Sequence, residues 1–346
     1  MRSGNLSWNM EFVLLGLTSN PVTQKVLFAL FLGMYLVTLA GNILIMLAIR
    51  GDPHLHTPMY YFLSHLSFLD MCYTTTIIPQ MLFNFLAERK TISFVGCMAQ
   101  MYISLSLGGI EFILLAVMAY DRYMAICHPL YYNVLMNQRL CMQMAVGCWL
   151  CGFVNALLQT VFTLHLPFCG RKIINHFGCE VLAVQQLACS STFVGDAVML
   201  GAGVLILLTP FFLVLVSYVY IVTTIFQIRT AEGRRKAFST CTAHLVVVTL
   251  CYGTAIFAYL RPRSHYSPKQ GKTASLFYCI VTPMLNPMIY SLRNQEVKGA
   301  LVKVVGKVSL QSPTVVSHHD CVPATLIPGL HLFHVLMESL PLLVTH

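Results

Sequence analysis

Two carboxylic acids stand inside long apolar stretches of this sequence. Asp70 lies within residues 57–86 and Glu111 within residues 93–127. A carboxylate at the middle of a bilayer costs about 2.5–3.5 kcal/mol on insertion scales, so it marks a functional site. Two carboxylates at one depth repel unless a cation or a proton lies between them. We therefore expect a sodium or proton site shared by Asp70 and Glu111, with Asn42 nearby, unless one carboxyl is protonated and only hydrogen-bonds the backbone.

The tripeptide Asp121-Arg122-Tyr123 is a candidate for a conformational switch. An arginine at the inner end of a helix can pair with Asp121 in one state and release it in another. At 1.5 Å per residue, Glu111 lies about 16 Å from Arg122 along a helix. If Arg122 marks the inner edge of the membrane, Glu111 therefore lies near the midplane.

The cysteines indicate which side of the membrane the amino terminus occupies. The chain has 13 Cys, and four of them fall in or beside polar links on the amino-terminal side: Cys97, Cys169, Cys179 and Cys189. Oxidised pairs belong outside the cytosol, and Asn5 begins an Asn-Leu-Ser glycosylation sequon. We therefore expect an extracellular amino terminus. Four cysteines allow three disulfide connectivities, and spacing alone does not choose among them.

The elements that must position these residues are membrane helices. The chain is 57% hydrophobic and only 10% charged, with a mean hydropathy of +0.72, whereas a soluble domain is about 25% charged. This composition excludes a disordered chain and argues against a cytosolic enzyme. The net charge of +9 is spread along the chain, so it gives no support to nucleic-acid binding.

The predicted fold class is an all-α membrane protein, a bundle of seven transmembrane helices. Each apolar stretch approaches the ~20 residues that cross a bilayer, and the stretches are continuous rather than alternating as in a barrel. The predicted spans are 23–49, 57–86, 93–127, 140–165, 195–228, 237–260 and 272–292. Kinks are expected at Pro79, Pro210, Pro283 and Pro287.

The chain divides into four predicted parts. Residues 1–22 are expected to be an extracellular amino terminus, and residues 23–292 form the bundle. Residues 293–310 are expected to be a membrane-proximal cytoplasmic helix. Residues 311–346 form a tail with several prolines and only a short apolar run, which argues against an eighth span.

Several sequence motifs, in order along the chain, resemble those of the vertebrate olfactory receptors of the land-vertebrate class, within the rhodopsin-like G-protein-coupled receptors. The resemblance covers roughly residues 8–308. It rests on these segments: Gly41-Asn42, Leu55-His56-Thr57-Pro58-Met59-Tyr60-Tyr61-Phe62-Leu63-Ser64, Met118-Ala119-Tyr120-Asp121-Arg122-Tyr123-Met124-Ala125-Ile126-Cys127, Ser217-Tyr218, Lys236-Ala237-Phe238-Ser239-Thr240-Cys241-Thr242-Ala243-His244 and Pro283-Met284-Leu285-Asn286-Pro287-Met288-Ile289-Tyr290-Ser291-Leu292-Arg293-Asn294.

The resemblance carries specific implications for structure and activity. It implies a disulfide from Cys97 to Cys179 and suggests a second from Cys169 to Cys189. It implies a plasma-membrane receptor, not an enzyme, that binds a small volatile odorant, activates a stimulatory, olfactory-type heterotrimeric G protein and raises cyclic AMP. No cofactor is expected apart from the sodium ion. The residues that it assigns to the inner switch are Asp121, Arg122, Tyr123, Tyr218, His244, Asn286, Pro287 and Tyr290.

The ligand pocket is expected between the third, fifth, sixth and seventh helices. The sixth helix offers one face because its candidates are spaced at i, i+3, i+4 and i+7. No carboxylate is expected at pocket depth on the third helix, where Ser104 stands at the place of the acidic residue of amine receptors. A small, apolar and neutral ligand with one hydrogen-bonding group is therefore expected. The predicted lining residues are Ser104, Leu105, Gly108, Gly109, Ala202, Gly203, Ile206, Tyr252, Ala255, Ile256, Tyr259 and Cys279.

The sequence departs from the family at three places. Cys251-Tyr252-Gly253 replaces the commoner Phe-Tyr-Gly, with Tyr252 retained. Ala243 stands where the family usually has Ser, which could alter basal activity. Residues 311–346 extend beyond the usual end of family members near residue 310.

Two other kinds of protein and another kind of ligand remain open alternatives. The intramembrane carboxylates would suit an ion-coupled transporter, but the chain lacks inverted repeats and paired broken helices. A membrane enzyme would need a metal motif or a nucleophile elbow, and neither is present. A rhodopsin-like receptor for a non-odorant small molecule is the closest alternative.

Overall fold

The computed structural model describes residues 11–189, 200–259, 268–293 and 295–310. Within these ranges, the chain forms a bundle of membrane helices that follows the predicted order. The first six membrane helices are Pro21–Gly51, Pro58–Leu86, Phe94–Cys127, Gln138–Leu164, Leu200–Gln227 and Ala231–Tyr259. The seventh comprises the consecutive segments Pro268–Leu276, Phe277–Val281 and Thr282–Arg293. The predicted start of the fifth span at residue 195 and the end of the sixth at residue 260 lie outside the described residues.

Five of the described helices are long and apolar enough to cross a membrane by length and composition: the first, third, fourth, fifth and sixth. The second helix carries Asp70 and other polar side chains, and the seventh is divided into short segments. These two helices complete the bundle by packing against the others. The predicted helical bundle is confirmed.

Short polar residues fix where the helices begin. The side chain of Asn20 accepts hydrogen bonds from the backbone N–H groups of Val22 and Thr23, and Pro21 occupies the first turn. Ser93 caps the third helix and Asn137 caps the fourth in the same way. Such caps satisfy N–H groups that have no partner inside the helix.

Prolines set the irregular turns of the fifth and seventh helices. In each, a π-helical segment ends directly before a Thr-Pro pair, Val204–Leu208 before Pro210 and Phe277–Val281 before Pro283. Proline lacks an N–H donor and crowds the preceding turn, so the hydrogen-bond ladder shifts there. Pro79 and Pro287 lie inside helices that continue past them. The structure thus places irregular turns next to two of the four prolines at which we expected kinks.

A small sheet at the outer end was not anticipated by the sequence analysis. Strand β1 (Glu11–Leu14) pairs antiparallel with β2 (Thr91–Ser93) and parallel with β3 (Ile173–Ile174). The side chains of Phe12 and Leu14 are buried under the outer loops, while Glu11 and Val13 are exposed. This alternation of buried and exposed residues is the period of a strand with one covered face.

At the inner end, two further helices flank the bundle. The segment Pro129–Leu135 follows the third helix, and Gln295–Leu310 follows the seventh. The latter is held to the first inner link by an ion pair between Lys303 Nζ and Asp52 Oδ2 at 2.9 Å. The hydrogen bond from Lys303 holds the pKa of the Asp52 carboxyl well below its usual value. The tail at 311–346 lies outside the described residues.

The third and fourth helices approach each other closely at Gly152. A Cβ atom added there would lie 2.4 Å from Ile110 Cγ1 and 2.9 Å from the backbone oxygen of Ser106. Only a glycine allows this approach, as is common where membrane helices meet at small residues. The contact helps to hold the third helix in the centre of the bundle.

Candidate functional site

A cavity of about 460 Å³ lies in the outer half of the bundle. This volume is within the range of small-molecule sites, which is about 300–1,000 Å³. Most of the predicted pocket residues line it: Ser104, Leu105, Gly108, Gly109, Ala202, Gly203, Ile206, Tyr259 and Cys279. The apolar character that we expected is present, because aliphatic and small side chains form much of the wall.

Three predicted pocket residues, Tyr252, Ala255 and Ile256, are not among those that line the cavity. The Tyr252 hydroxyl donates a hydrogen bond of 2.7 Å to the backbone oxygen of Phe112, and its ring packs against Phe112 and Phe211. Because of these contacts, the Tyr252 side chain packs between helices rather than against the cavity. The helical spacing identified a buried face correctly, but only Tyr259 on that face reaches the cavity.

The second outer loop covers the cavity, and this contribution of the loop was not predicted from the sequence. Residues 176–182 all contribute to the lining. The structure forms both disulfides that the resemblance implied, Cys97–Cys179 and Cys169–Cys189. The first ties the loop to the top of the third helix, so residues adjacent to Cys179 must lie over the cavity. That adjacency is the sequence signal that could have identified them.

Glu180 is an acidic residue in the cover of the cavity. Burial raises the pKa of its carboxyl to about 7, although the nearby hydroxyl of Tyr259 lowers it. Its side chain is half-buried because the cavity gives access to it. His176 in the same loop is buried and contacts Ser275 Oγ at 3.2 Å. Burial lowers the pKa of His176 to about 3, so the ring is neutral at physiological pH.

Glu111 also lines the cavity, and this corrects the expectation that the third helix carries no carboxylate at pocket depth. Its Oε1 accepts a hydrogen bond of 3.1 Å from Cys251 Sγ on the sixth helix. The pocket extends further inward than the position of Ser104 suggested. The reason for expecting a neutral ligand, and for disfavouring a cationic amine, is therefore removed.

Asp70 is completely enclosed and faces the seventh helix. Asn286 Nδ2 donates hydrogen bonds to both Asp70 carboxylate oxygens, at 3.2 and 2.9 Å. The charges of Asp70 and Glu111 act on each other. Asp70 and Glu111, the pair predicted from the sequence, are thus close enough for their charges to interact. The direct hydrogen-bond partner of Asp70 is Asn286.

Asn42 joins the first and seventh helices. Its Nδ2 donates hydrogen bonds to the backbone oxygens of Thr38 at 3.0 Å and Pro283 at 3.3 Å. Pro287 cannot donate to the carbonyl four residues before it, and Asn42 supplies the missing donor to Pro283. Asn42 Oδ1, Asn286 Oδ1 and the Tyr290 hydroxyl are buried and have no hydrogen-bond partner within the part of the chain that the structure describes. Such unpaired oxygens fit a hard cation or a buried water.

At the inner end, Asp121 does not form an ion pair with Arg122 among the described residues. Its Oδ1 instead accepts a hydrogen bond of 2.8 Å from the Tyr132 hydroxyl in the helix Pro129–Leu135. Consecutive residues on a helix do not face each other, which explains why the expected pairing is not observed. Arg122 is buried, and Tyr123 hydrogen-bonds His128 Nε2 at 2.9 Å.

His244 connects three helices at this end. The Tyr218 hydroxyl is 2.7 Å from His244 Nδ1, and His244 Nε2 is 3.1 Å from the backbone oxygen of Leu115. A carbonyl only accepts, so Nε2 carries the proton and Nδ1 accepts from Tyr218. The neutral ring thereby ties the sixth helix to the third and the fifth.

Known proteins of one family match this chain over nearly the whole bundle. Residues 31–307 match the family described as "Olfactory receptor". The chain is 55% identical over 309 residues to the Olfactory receptor-like protein OLF3 of Canis lupus familiaris. The aligned region covers 89% of this chain and 98% of that protein. It is 53% identical over 309 residues to Olfactory receptor 2F1 of Homo sapiens, with the same coverage. It is 51% identical over 297 residues to Olfactory receptor 2C1 of Mus musculus, covering 86% of this chain and 95% of that protein.

Proposed function

Because this chain belongs to the olfactory receptor family, we propose that its odorant binds in the outer cavity and that the residues around Arg122 and His244 transmit binding to a G protein. The protein is an odorant receptor, a multi-pass protein of the plasma membrane and not an enzyme. Coupling to a G protein and to cyclic AMP follows from the family.

The observation that carries the binding proposal is the cavity of about 460 Å³ beneath the second outer loop. Its lining combines aliphatic side chains with a few polar groups, which is typical of sites for small ligands. Gly108 and Gly109 leave room on the third helix where larger side chains would project. The ligand is accordingly a small molecule with a largely apolar body.

The transmission proposal rests on the inner hydrogen bonds. His244 holds the sixth helix against the third and fifth, and Arg122 of the third helix is buried. Outward movement of the sixth helix would break the His244 contacts and open a cleft for the G protein. The other members of the proposed switch are Asp121, Tyr123, Tyr218, Asn286, Pro287 and Tyr290.

Asp70, Glu111 and Asn42 form the proposed sodium or proton site, with Asn286 as an additional member. The support is the pair of interacting carboxylates together with the unpaired oxygens of Asn42 and Asn286. A bound cation or proton there would offset the repulsion between the two acids. The site lies between the cavity and the inner switch, where it could bias the equilibrium between the two receptor states.

The remaining expectations are also proposals. Asn5, which lies outside the described residues, is the proposed glycosylation site. Residues 293–310 form the proposed membrane-proximal helix against the lipid headgroups, and no nucleic-acid partner is proposed. The tail at 311–346, which lies outside the described residues, stays the atypical carboxyl-terminal part predicted from the sequence.

The test is a cyclic AMP assay in cells that express the full chain with a surface tag. A panel of small volatile compounds should include agonists that raise cyclic AMP in a dose-dependent manner. Arg122→Ala should abolish this response at unchanged surface level, because the buried guanidinium belongs to the proposed switch. Arg139→Ala, which changes an exposed arginine of the same side, is the matched control. A full response in Arg122→Ala would contradict the proposed switch.

A further inference from the structure

The cavity has an unbalanced set of charged groups. Among the described residues that line it, Glu111 and Glu180 are acidic and there is no lysine or arginine. His176 is neutral, as noted above, and does not offset a negative charge. A carboxylate enclosed by protein without a cationic partner is costly. A ligand that brings a positive charge would remove this cost.

Glu180 is held firmly in place over the cavity. The preceding residue, Cys179, is bonded to Cys97, and its backbone N–H donates a hydrogen bond of 2.8 Å to Gln100 Oε1. The short helix Val181–Gln185 begins at the next residue. With both sides anchored, the backbone at Glu180 is fixed over the cavity, and the Tyr259 hydroxyl and the backbone N–H groups of Leu182 and Ala183 hold its carboxyl group.

Aromatic rings surround the same part of the cavity. Tyr73, Tyr259 and Tyr278 all line it. The ring centroids of Tyr73 and Tyr278 are 6.2 Å apart, and those of Tyr259 and Tyr278 are also 6.2 Å apart. The faces of tyrosine rings attract ammonium groups, most strongly where water is excluded. A carboxylate together with several tyrosines is a suitable environment for an organic cation.

The other carboxyl group of the cavity has different neighbours. Glu111 accepts the Cys251 thiol and interacts with Asp70, which places it in the proposed ion site. The groups that act on the Glu180 carboxyl are the Tyr259 hydroxyl and the backbone N–H groups of Leu182 and Ala183, all of which are neutral and leave its charge without a cationic partner among the described residues. Glu180 is therefore the carboxylate left for the ligand.

We propose that Glu180 is the counter-ion for a protonated amine, so that the receptor takes small amines with an apolar body. The ammonium group lies between Glu180 and the tyrosines, and the apolar body packs against Leu105, Ile206 and Leu207 deeper in the cavity. This inference rests on the proposed function, because it specifies the ligand class of that same cavity.

The experiment compares primary amines with alcohols of the same carbon skeleton, using medium-chain and monoterpenoid pairs in the cyclic AMP assay. The full-length receptor should respond to the amine of a pair at a lower concentration than to the alcohol. Glu180→Gln keeps the shape of the side chain but removes its charge. Loss of a charge-assisted hydrogen bond should reduce amine potency roughly tenfold or more, and alcohol potency by less than about threefold.

Two variants serve as controls. Glu88→Gln removes an exposed glutamate of the outer surface that does not line the cavity, and should leave the amine response unchanged. Glu180→Asp retains the carboxylate but withdraws it by one methylene, so the loss of amine potency should be smaller than in Glu180→Gln. Surface staining of every variant normalises the responses.

The outcomes separate this inference from the proposed function. Responses to alcohols without preference for amines, or equal losses for both classes in Glu180→Gln, overturn the counter-ion role and leave the odorant receptor intact. Equal loss of amine potency in Glu180→Asp and Glu180→Gln also contradicts it. Silence to the whole panel despite confirmed surface staining counts against both the ligand class and the proposed binding cavity.

Discussion

Glu111 belongs to two features at once, since it lines the ligand cavity and interacts with Asp70. At the scale of single residues, this double position offers a direct route from ligand to ion site. A ligand that changes the surroundings of Glu111 changes the charge that Asp70 experiences, because electrostatic interactions are strong in a low-dielectric interior. The ion site therefore gives a prediction about Glu111.

Glu111→Gln should abolish the sodium sensitivity of the agonist response. The amide has the same shape but removes one of the two negative charges that make a cation favourable. Agonist-stimulated cyclic AMP formation is measured in isolated membranes while sodium replaces potassium at constant ionic strength. Glu88→Gln is the control for a lost glutamate. An identical sodium dependence in Glu111→Gln and the unchanged receptor would refute the shared site.

The contact between the third and fourth helices shows how one position governs the packing of two elements. Gly152 lies against Ile110 and the backbone of Ser106, while Ser104, Leu105, Gly108 and Gly109 on the third helix line the cavity. A wider separation of these helices would therefore alter the shape of the binding site.

Gly152→Ala should destabilise the receptor. The added methyl group would lie 2.4 Å from Ile110 Cγ1, and overpacking of this kind costs about 1–3 kcal/mol. We expect a lower melting temperature of the purified receptor and less protein at the cell surface. Gly147→Ala on the same helix is the control, because its added Cβ meets no atom within 4 Å. Equal melting temperatures of Gly152→Ala and Gly147→Ala would show that the third helix moves aside without loss of stability.

At the scale of the whole molecule, the receptor has a covered outer end and a fastened inner end. Outside, residues 176–182 of the second outer loop cover the cavity, and the Cys97–Cys179 disulfide ties them to the third helix. Inside, His244 fastens the sixth helix to two neighbours. The equilibrium between resting and signalling states depends on breaking the inner contacts, since a ligand shifts populations only through contacts that differ between states.

His244→Phe should raise cyclic AMP in the absence of agonist. The ring shape is retained, but two hydrogen bonds are lost, each worth about 0.5–1.5 kcal/mol. A total change of about 1–3 kcal/mol shifts a two-state equilibrium roughly 5-fold to 150-fold. Basal cyclic AMP per receptor at the surface is the measurement. Thr242→Ala is the control, because among the described residues the Thr242 hydroxyl donates to the backbone oxygen of Phe238 in its own helix. Unchanged basal signalling in His244→Phe would count against the fastening role.

The sequence by itself determined the membrane bundle and most of the predicted residues that line the cavity. Continuous apolar stretches leave no fold but helices in lipid, because every backbone group must be satisfied within its own segment. A carboxylate in such a stretch costs free energy in the bilayer, so it marks a functional site. Asp70 and Glu111 were predicted as a shared sodium or proton site on this ground. The helix bounds were set by local residues such as Asn20 and Ser93, whose capping is visible in the sequence.

Only the tertiary structure decided which side chains meet. Helical spacing places Tyr252 and Tyr259 on one face, yet only Tyr259 reaches the cavity, because the Tyr252 hydroxyl bonds the third helix. Glu180 enters the site through a loop folded over the bundle, a contact between segments that periodicity within one helix does not encode. The direct partner of Asp70, Asn286, lies 216 positions away in the sequence. Such distant contacts depend on the packing of whole helices, which is fixed by the three-dimensional arrangement rather than by any local pattern.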